Sequence, residues 1–453
     1  MRIALALGRC LVLFPYYFVV ITAFALWPWR RRPPYGTVLR LLGIQERSRN
    51  ASELRFLMLR LSMRTSWAST VPGPVRVRSV VGWAVRPFSY GIGVCWRLSR
   101  AERERSGLSW PASTALFLQS VPDLLRFDSG YGAPCWFYPE RRADAGFQIP
   151  STHHVRIAGH LLNHANDPSL PVTQRHFDKA ELYRTCREHG WATIPVHVLF
   201  EDGTATNFEP IEAGPLLSKP TSLAEGVGSF ERWRPESVAG DDTPRYRRDD
   251  GRVVSLDELM DHLSVLSRDT PYMLQPLLRP HRAIREFSGA ETLSTVRIMT
   301  CCFPDGRAEL IPIAFTRMPL DPDAMVDNRA QGALAFYVDP DTGALGLGSL
   351  KHTAQVYDTH PVSQRAVEGF VLPYFQDALD LVTEAHAEAF SRFPTLGWDV
   401  ALTDDGPVIV EMNVQWACQI GDIPGQPLLG RTVDTDCVVA HMRRHWPHAC
   451  PEA

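Results

Sequence analysis

Residues 397–413, GWDVALTDDGPVIVEMN, read as two strands joined by a tight polar turn. Side chains alternate along a strand, so one choice of register decides which residues share a face. With Asp404, Asp405 and Gly406 as a three-residue loop and Gly406 left-handed, Thr403 faces Pro407, Ala401 faces Ile409 and Asp399 faces Glu411. Pro407 is tolerated there because the first residue of a strand can lack an N–H. Asn413 then shares a face with Glu411, while Val400, Leu402, Val408 and Val410 form the opposite, apolar face. Facing carboxylates repel, and a shared divalent cation is the simplest compensation. Asp399, Glu411 and the amide oxygen of Asn413 make a hard oxygen set, suited to Mg²⁺ bridging phosphates. A solvated hairpin face with arginine partners, or a loop of another register, is the alternative.

Only three of the 47 basic residues are lysines, Lys179, Lys219 and Lys351, so their positions are informative. Lys219 ends a short apolar run, GPLLSKP, and is followed by Gly226 and Gly228 in TSLAEGVGSF. An ammonium can pair with phosphate oxygens, and a glycine loop lets backbone N–H groups approach them. The pattern GxxxxGK[ST] is absent, so this is not a Walker loop. Lys179 opens the helical stretch KAELYRTCREHG. Arg297 and Arg317 lie in strand-like runs, as salt-bridge partners or as groups that neutralise a transferring phosphoryl.

The chain of 453 residues is 45% apolar and 10% aromatic, enough for a sizeable core, and its length suits about three structural units. Its net charge of −3 hides a strong asymmetry: residues 30–110 carry 16 Arg and 4 Glu and no Lys or Asp, a net of +12. Residues 10–29 contain no charge and are long enough to span a bilayer, and Arg30, Arg31 and Arg32 follow at once. This predicts a membrane segment over residues 1–32, spanning or lying in the interface, with everything downstream on the cytoplasmic side. The basic stretch suits anionic lipid better than nucleic acid, which is disfavoured by the apolar residues interleaved with its arginines. Nine scattered cysteines with no CxxC argue against a disulfide framework or zinc site.

Along the rest of the chain, helices are expected over 38–68, 112–127, the KAELYRTCREH stretch capped by Gly190, SLDELMDHLSVL with a capping box from Ser255 to Glu258, and 365–391, the longest outside the N-terminus. Strands are expected in ATIPVHVLFEDG, GPLLSKP and PYMLQPLL, and STVRIMTCCF–PDG–RAELIPIAFTRM reads as a long hairpin. The alternation is α+β with antiparallel sheets.

Taken in order, FDKAELYRTCREHG, LLSKP, YMLQPLLRPH, LSTVRIMT, VDNRAQGALAFYVDPDTG and GWDVALTDDGPVIVEMN resemble the ATP-grasp superfamily, in its sugar-transfer-associated branch related to alpha-L-glutamate ligases. The resemblance covers roughly residues 150–430 and implies two α+β lobes with antiparallel sheets clasping ATP. By that likeness Lys179 and Lys219 hold ATP phosphates under a loop carrying Gly226 and Gly228. Gln275, Pro276, Leu277 and Leu278 form the hinge that reads adenine, and His281 matches a histidine position of the branch. Arg297 contacts the γ-phosphate or an acyl phosphate, and Asp399, Glu411 and Asn413 bind Mg²⁺; Arg317, read from its strand position alone, is taken as a second catalytic cation. Gln275 departs from the glutamate common at that hinge, and the loop SLAEGVGSF is poorer in glycine than usual. The expected units are the membrane segment 1–32 and a basic, mostly helical region 33–148, both read from composition alone, then the ATP-grasp domain 149–430 and a tail 431–453.

The expected function is an ATP- and Mg²⁺-dependent ligase: a carboxylate becomes an acylphosphate, which an amine or similar nucleophile attacks. The sugar-transfer likeness implies a substrate in envelope polysaccharide or glycolipid metabolism, with sugar-transfer enzymes as partners. The alternatives are a kinase acting on a hydroxyl and a nucleotide-binding scaffold for membrane glycosyltransferases. His360 and Trp416 are further candidates for the substrate side, with ordinary packing as the competing reading.

Overall fold

A computed structural model describes residues 2–25, 41–42, 96, 99–100, 103, 107–127, 154, 157–170, 177–222, 230–238, 241–321, 324, 327, 332–350, 355–416, 423–427 and 429–447. Gly226, Gly228, nearly all of the basic region 30–110 and the helix expected over 38–68 (apart from 41–42) fall outside the described residues.

The fold is α+β, built on two seven-stranded sheets in which every pairing is antiparallel. Helix α1 (Arg2–Ala25) packs against α2 (Trp110–Phe127), and α3 (Lys179–His189) leads into the first sheet. That sheet comprises β1 (Val198–Glu201), β2 (Thr204–Asn207), β3 (Leu216–Pro220), β4 (Glu231–Val238), β5 (Asp241–Arg248), β6 (Val253–Ser255) and, after α4 (Leu256–Leu266), β7 (Tyr272–Pro276). Its order is β2-β1-β7-β3-β4-β5-β6. After α5 (Arg282–Ser288) come β8 (Thr295–Cys302), β9 (Ala308–Met318), β10 (Leu334–Val338), β11 (Leu345–Ser349), β12 (Val356–Tyr357), α6 (Phe375–Glu388), β13 (Thr395–Thr403), β14 (Gly406–Asn413) and α7 (Val433–His445). The second sheet runs β12-β11-β10-β9-β8-β13-β14.

Each sheet buries one face in its own core. In the first, Leu216, Trp233, Leu274 and Val198 pack with Leu259 and Leu263 of α4. In the second, Ile298, Ala314, Trp398, Val400 and Ile409 pack with Leu379 and Val382 of α6 and with Leu182 and Cys186 of α3. Residues 192–197 tie the two sheets: Ile409 N–H donates to the Ala192 carbonyl, Ile194 N–H to Ile409, and His197 N–H to Leu274 of β7.

Local signals explain most boundaries. Asp178 caps α3 by accepting from Ala180 and Glu181 N–H, and Gly190 ends it at φ 74°, a left-handed turn that costs glycine little. Ser255 and Glu258 form the capping box of α4. The helix expected over 365–391 is shorter, because Gly369 at φ 80° and Pro373 break the chain before α6 starts at Phe375. With 14 residues it is also shorter than α2, which has 18. The segment read as a C-terminal tail contains α7, whose Cys437, Val438 and Met442 are buried and which packs on β8 and β9. Strands β4 and β5 were not foreseen; Arg232 and Arg234 pair with Asp249, and Arg247 with Glu236, so their polar faces are ion-paired.

The spanning segment expected over residues 10–29 is not met. Helix α1 carries Arg2, Arg9 and an internal Pro15, and residues 26–29 lie outside the described set. Among the described residues no helix is long and apolar enough to cross a membrane.

His386, fully buried on α6, closes a relay through the core. Trp398 Nε1–H donates to Thr300 Oγ1, whose hydroxyl lies 2.7 Å from His386 Nδ1, and His386 Nε2 lies 2.8 Å from the Phe393 carbonyl. A neutral ring satisfies both contacts, and burial pushes the pKa of His386 down to about 4. A folded-state pKa below the unfolded value means that this contribution is intact above pH 6.5 and is lost as pH falls towards 4. Denaturant titration should therefore show about 2 kcal/mol lost at pH 5 from this residue. His386→Gln should flatten the slope between pH 6.5 and 4, and an identical slope in the variant would contradict the assignment.

Candidate functional site

The pairing of four strands lays out the site. Phe315 of β9 is opposite Arg297 of β8, Arg297 opposite Asp399 of β13, and Asp399 opposite Glu411 of β14. These residues form one row on the face of the second sheet away from its core. Arg317 lies directly opposite Thr295 and so shares that face, one step along.

The facing of Asp399 and Glu411 matches the sequence reading, but the path to it differs. The turn has two residues, Asp404 and Asp405, so Thr403 pairs with Gly406, Ala401 with Val408 and Val400 with Ile409. A bulge at Val410 then restores the pairing of Asp399 with Glu411. As a result Ile409, not Val408 or Val410, joins Val400 and Leu402 in the core. The turn docks on α5: Arg282 N–H donates to Asp404 Oδ1 at 2.7 Å, and Arg285 Nη2 to Asp404 Oδ2 at 3.2 Å.

Positive side chains compensate the facing carboxylates in this structure. Arg297 donates to Asp399 through both Nε and Nη2, and Arg317 Nη2 lies 3.0 Å from Asp399 Oδ2. Asp399 is 3% exposed. Burial alone would push its carboxyl up, yet the two guanidiniums hold it down, at about 2. Glu411 faces Lys179 Nζ at 3.7 Å. Lys219 is also buried; burial, with Lys179 nearby, lowers its pKa to about 8 against the pull of Glu411. Lys179 is held at the start of α3, its N–H donating to Thr221 just beyond Lys219. Asn413 is buried beside Glu411, and its Nδ2 has no hydrogen-bond partner among the described residues.

The structure thus brings together Lys179, Lys219, Arg297, Arg317, Asp399, Glu411 and Asn413. A residue given no role at the sequence level joins them: Asp327 lies 3.5 Å from Arg317 Nη2. Its signal was present, an acid inside VDNRAQGALAFYVDPDTG, but nothing in one sequence paired it with Arg317 across ten residues. Among the described residues of the cluster, four cations face three carboxylates, a balance that favours an anionic ligand. Among the described residues no cluster of three or more His, Cys, Asp or Glu could hold a metal. A cation here would draw on Asp399, Glu411 and the amide oxygen of Asn413, a set that fits a hard ion, with ligand oxygens completing it.

The remaining candidates separate from that cluster. Gln275 is buried on β7, its Nε2 donating to the Ile194 carbonyl while Oε1 has no partner among the described residues. Pro276 ends the strand, Leu277 N–H is taken by the Pro215 carbonyl, and Leu278 follows outside the strand. His281 caps α5, its Nδ1 accepting from Ala283 N–H, which occupies that nitrogen. His360 is enclosed by Phe287 and Phe336. Trp416 packs over Gly397, where an added Cβ would come within 2.7 Å of the Trp416 Cβ and 3.5 Å of Arg297 Cδ. Its indole N–H donates to Thr395 Oγ1 on β13 at 3.2 Å. Trp416 is therefore packing that supports the arginine row.

The family described as sugar-transfer associated ATP-grasp matches residues 237–436, so the resemblance read from the sequence is shown over that stretch. The match includes Arg297, Arg317, Asp327, Asp399, Glu411 and Asn413, whereas Lys179 and Lys219 precede it. Among solved structures the chain is similar to D-alanine–D-alanine ligase from Bacillus anthracis complexed with ATP, at 12% identity, 59% of this chain, 65% of that one and a TM-score of 0.29. A second structure of that ligase gives 13%, 60%, 69% and 0.27. No curated protein matches the chain. Likeness at this level carries no conclusion about the site.

The ion pairs predict unequal costs. Asp399→Asn leaves the largely buried Arg297 without its carboxylate and Arg317 with Asp327 alone, and should cost about 3 kcal/mol or more of folding stability. Glu411, one-third exposed with a single ammonium at 3.7 Å, should lose less than about 1 kcal/mol as Glu411→Gln. Chemical denaturation of the ligand-free variants checks this, and equal losses would contradict it.

Proposed function

We propose that this protein is an ATP- and Mg²⁺-dependent ligase of the ATP-grasp type, activating a carboxylate as an acylphosphate for attack by an amine or similar nucleophile. The observation that carries the reading is the row Arg297–Asp399–Glu411, met by Lys179 from the start of α3 and by Lys219 from β3 of the other sheet. Lys179 and Lys219 hold phosphate oxygens of ATP. Arg297 and Arg317 neutralise the γ-phosphoryl as the substrate carboxylate attacks phosphorus and ADP leaves. The nucleophile then adds to the acyl carbon, and phosphate departs. Positioning and charge neutralisation do most of this work. Asp399, Glu411 and Asn413 would hold Mg²⁺, which would supply positive charge to offset that of the phosphates. Gln275 and the 276–278 backbone border the adenine side, with His281 at the edge.

The family match supports a substrate in polysaccharide or glycolipid metabolism, with sugar-transfer enzymes as partners. We place the protein at the cytoplasmic face of a membrane, lying on it. Leu5, Leu11, Val12 and Val19 leave an apolar face of α1 exposed, and the +12 stretch suits anionic headgroups. Protein left in the supernatant after sedimentation with anionic vesicles would contradict that location.

A charge-assisted phosphate contact contributes about 1.5–3 kcal/mol, so Lys219→Met should weaken ATP binding about tenfold or more by calorimetry. Incubation with ATP, a metabolite extract and hydroxylamine should yield ADP and a hydroxamate detectable by mass spectrometry. ADP with a phosphoester would mark a kinase, and no ATP turnover at all would mark a scaffold.

A further inference from the structure

We propose that Asp327 is the positioning residue that keeps Arg317 aimed at the γ-phosphate, an inference that rests on the nucleotide reading above. Asp327 lies between β9 and β10 and is 8% exposed. Its Oδ2 accepts from the Thr295 N–H at 2.7 Å and from the Thr295 hydroxyl at 2.5 Å. Its Oδ1 lies 3.5 Å from Arg317 Nη2. The same Nη2 donates to Thr295 Oγ1 at 2.5 Å and lies 3.0 Å from Asp399 Oδ2. One nitrogen of Arg317 thus meets two carboxylates, Asp399 in the row of the site and Asp327 from the loop, while the Thr295 hydroxyl accepts from Arg317 and donates to Asp327. Its Nε is buried and has no hydrogen-bond partner among the described residues.

A neutral acceptor would satisfy the Thr295 N–H, so the N–H alone does not call for a carboxylate, which is costly to bury. The charge is explained by what happens to Arg317 when an anion enters. A phosphate oxygen and Asp399 both attract the guanidinium from the same side. Without a charge behind it, Arg317 can stay on Asp399 or swing away from strand β8. Asp327 and Thr295 give it a fixed anchor from which the guanidinium addresses the ligand. Arginine is suited to this because its planar donors are directed, unlike the point charge of lysine.

The test compares Mg·AMP-PNP with Mg·ADP by calorimetry on the full chain. Asp327→Asn keeps an acceptor for Thr295 but removes the charge. It should leave ADP affinity within about twofold and lower the preference for AMP-PNP over ADP about tenfold, the loss that one charge-assisted contact is worth. A merely structural role would weaken both nucleotides together. Arg317→Met should show the same selective loss, and adding Asp327→Asn to it should change the preference by less than about twofold. Should Asp327→Asn fail to fold, Asp327→Glu is read in its place, with a preference lowered about threefold. Wild-type protein binding neither nucleotide overturns the nucleotide reading and this proposal with it. Wild-type binding with an unchanged preference in the Asp327 variant, or additive losses in the double variant, overturns the proposal alone.

Discussion

A carboxylate buried on a sheet face and held by two guanidiniums organises this molecule. Asp399 is enclosed on the face of the second sheet opposite its core, where an unpaired charge would be expensive. Arg297 and Arg317 both reach it, and each comes from a strand whose register is set by the apolar face beneath. A slip of one residue in β8 or β13 would turn the charges into the core and the core residues out to the site. Packing on one face and charge pairing on the other therefore enforce the same alignment. The bulge at Val410 is the local adjustment that lets β14 bring Glu411 into line.

The remaining charges extend that arrangement across the two sheets. Lys179 is at the start of a helix, its N–H on the Thr221 carbonyl, and Lys219 is near the end of β3 opposite Met273 of β7. Glu411 is the point where the second sheet meets them. Residues 192–197 hydrogen-bond to β14 on one side and to β7 on the other, which holds the sheets at the separation the site requires. Burial, with Lys179 nearby, depresses the pKa of Lys219, and a phosphate ligand beside its ammonium would offset that cost.

Much of this was legible in the residues. The strand Lys, the arginine mid-strand in STVRIMT and the opposed acids of the last hairpin could be placed because strand alternation is strict. The facing pair was reached through a three-residue turn that does not exist; the two-residue turn and the bulge compensate for one another. What alternation cannot reveal is a partner from a loop, and Asp327 was missed for that reason. The relief of the carboxylate repulsion by Arg297, Arg317 and Lys179 was likewise weighed only as the lesser alternative to a cation. Strands β4 and β5, with Pro235, Pro244 and five arginines from Arg232 to Arg248, have no apolar alternation to announce them. The helix over 365–391 was read too long because helical spacing continues through Pro373 although the backbone cannot.

The central claim is that Asp399, Glu411 and Asn413 take a divalent cation only together with a nucleotide, because the oxygens of Asp399 are otherwise occupied by guanidiniums. Electron paramagnetic resonance of Mn²⁺, standing in for Mg²⁺, tests it directly. The account predicts free, hydrated Mn²⁺ when the ion alone is mixed with the protein, and about one bound ion per chain once AMP-PNP is added. Tight binding of Mn²⁺ without nucleotide, or no binding with it, would contradict the account.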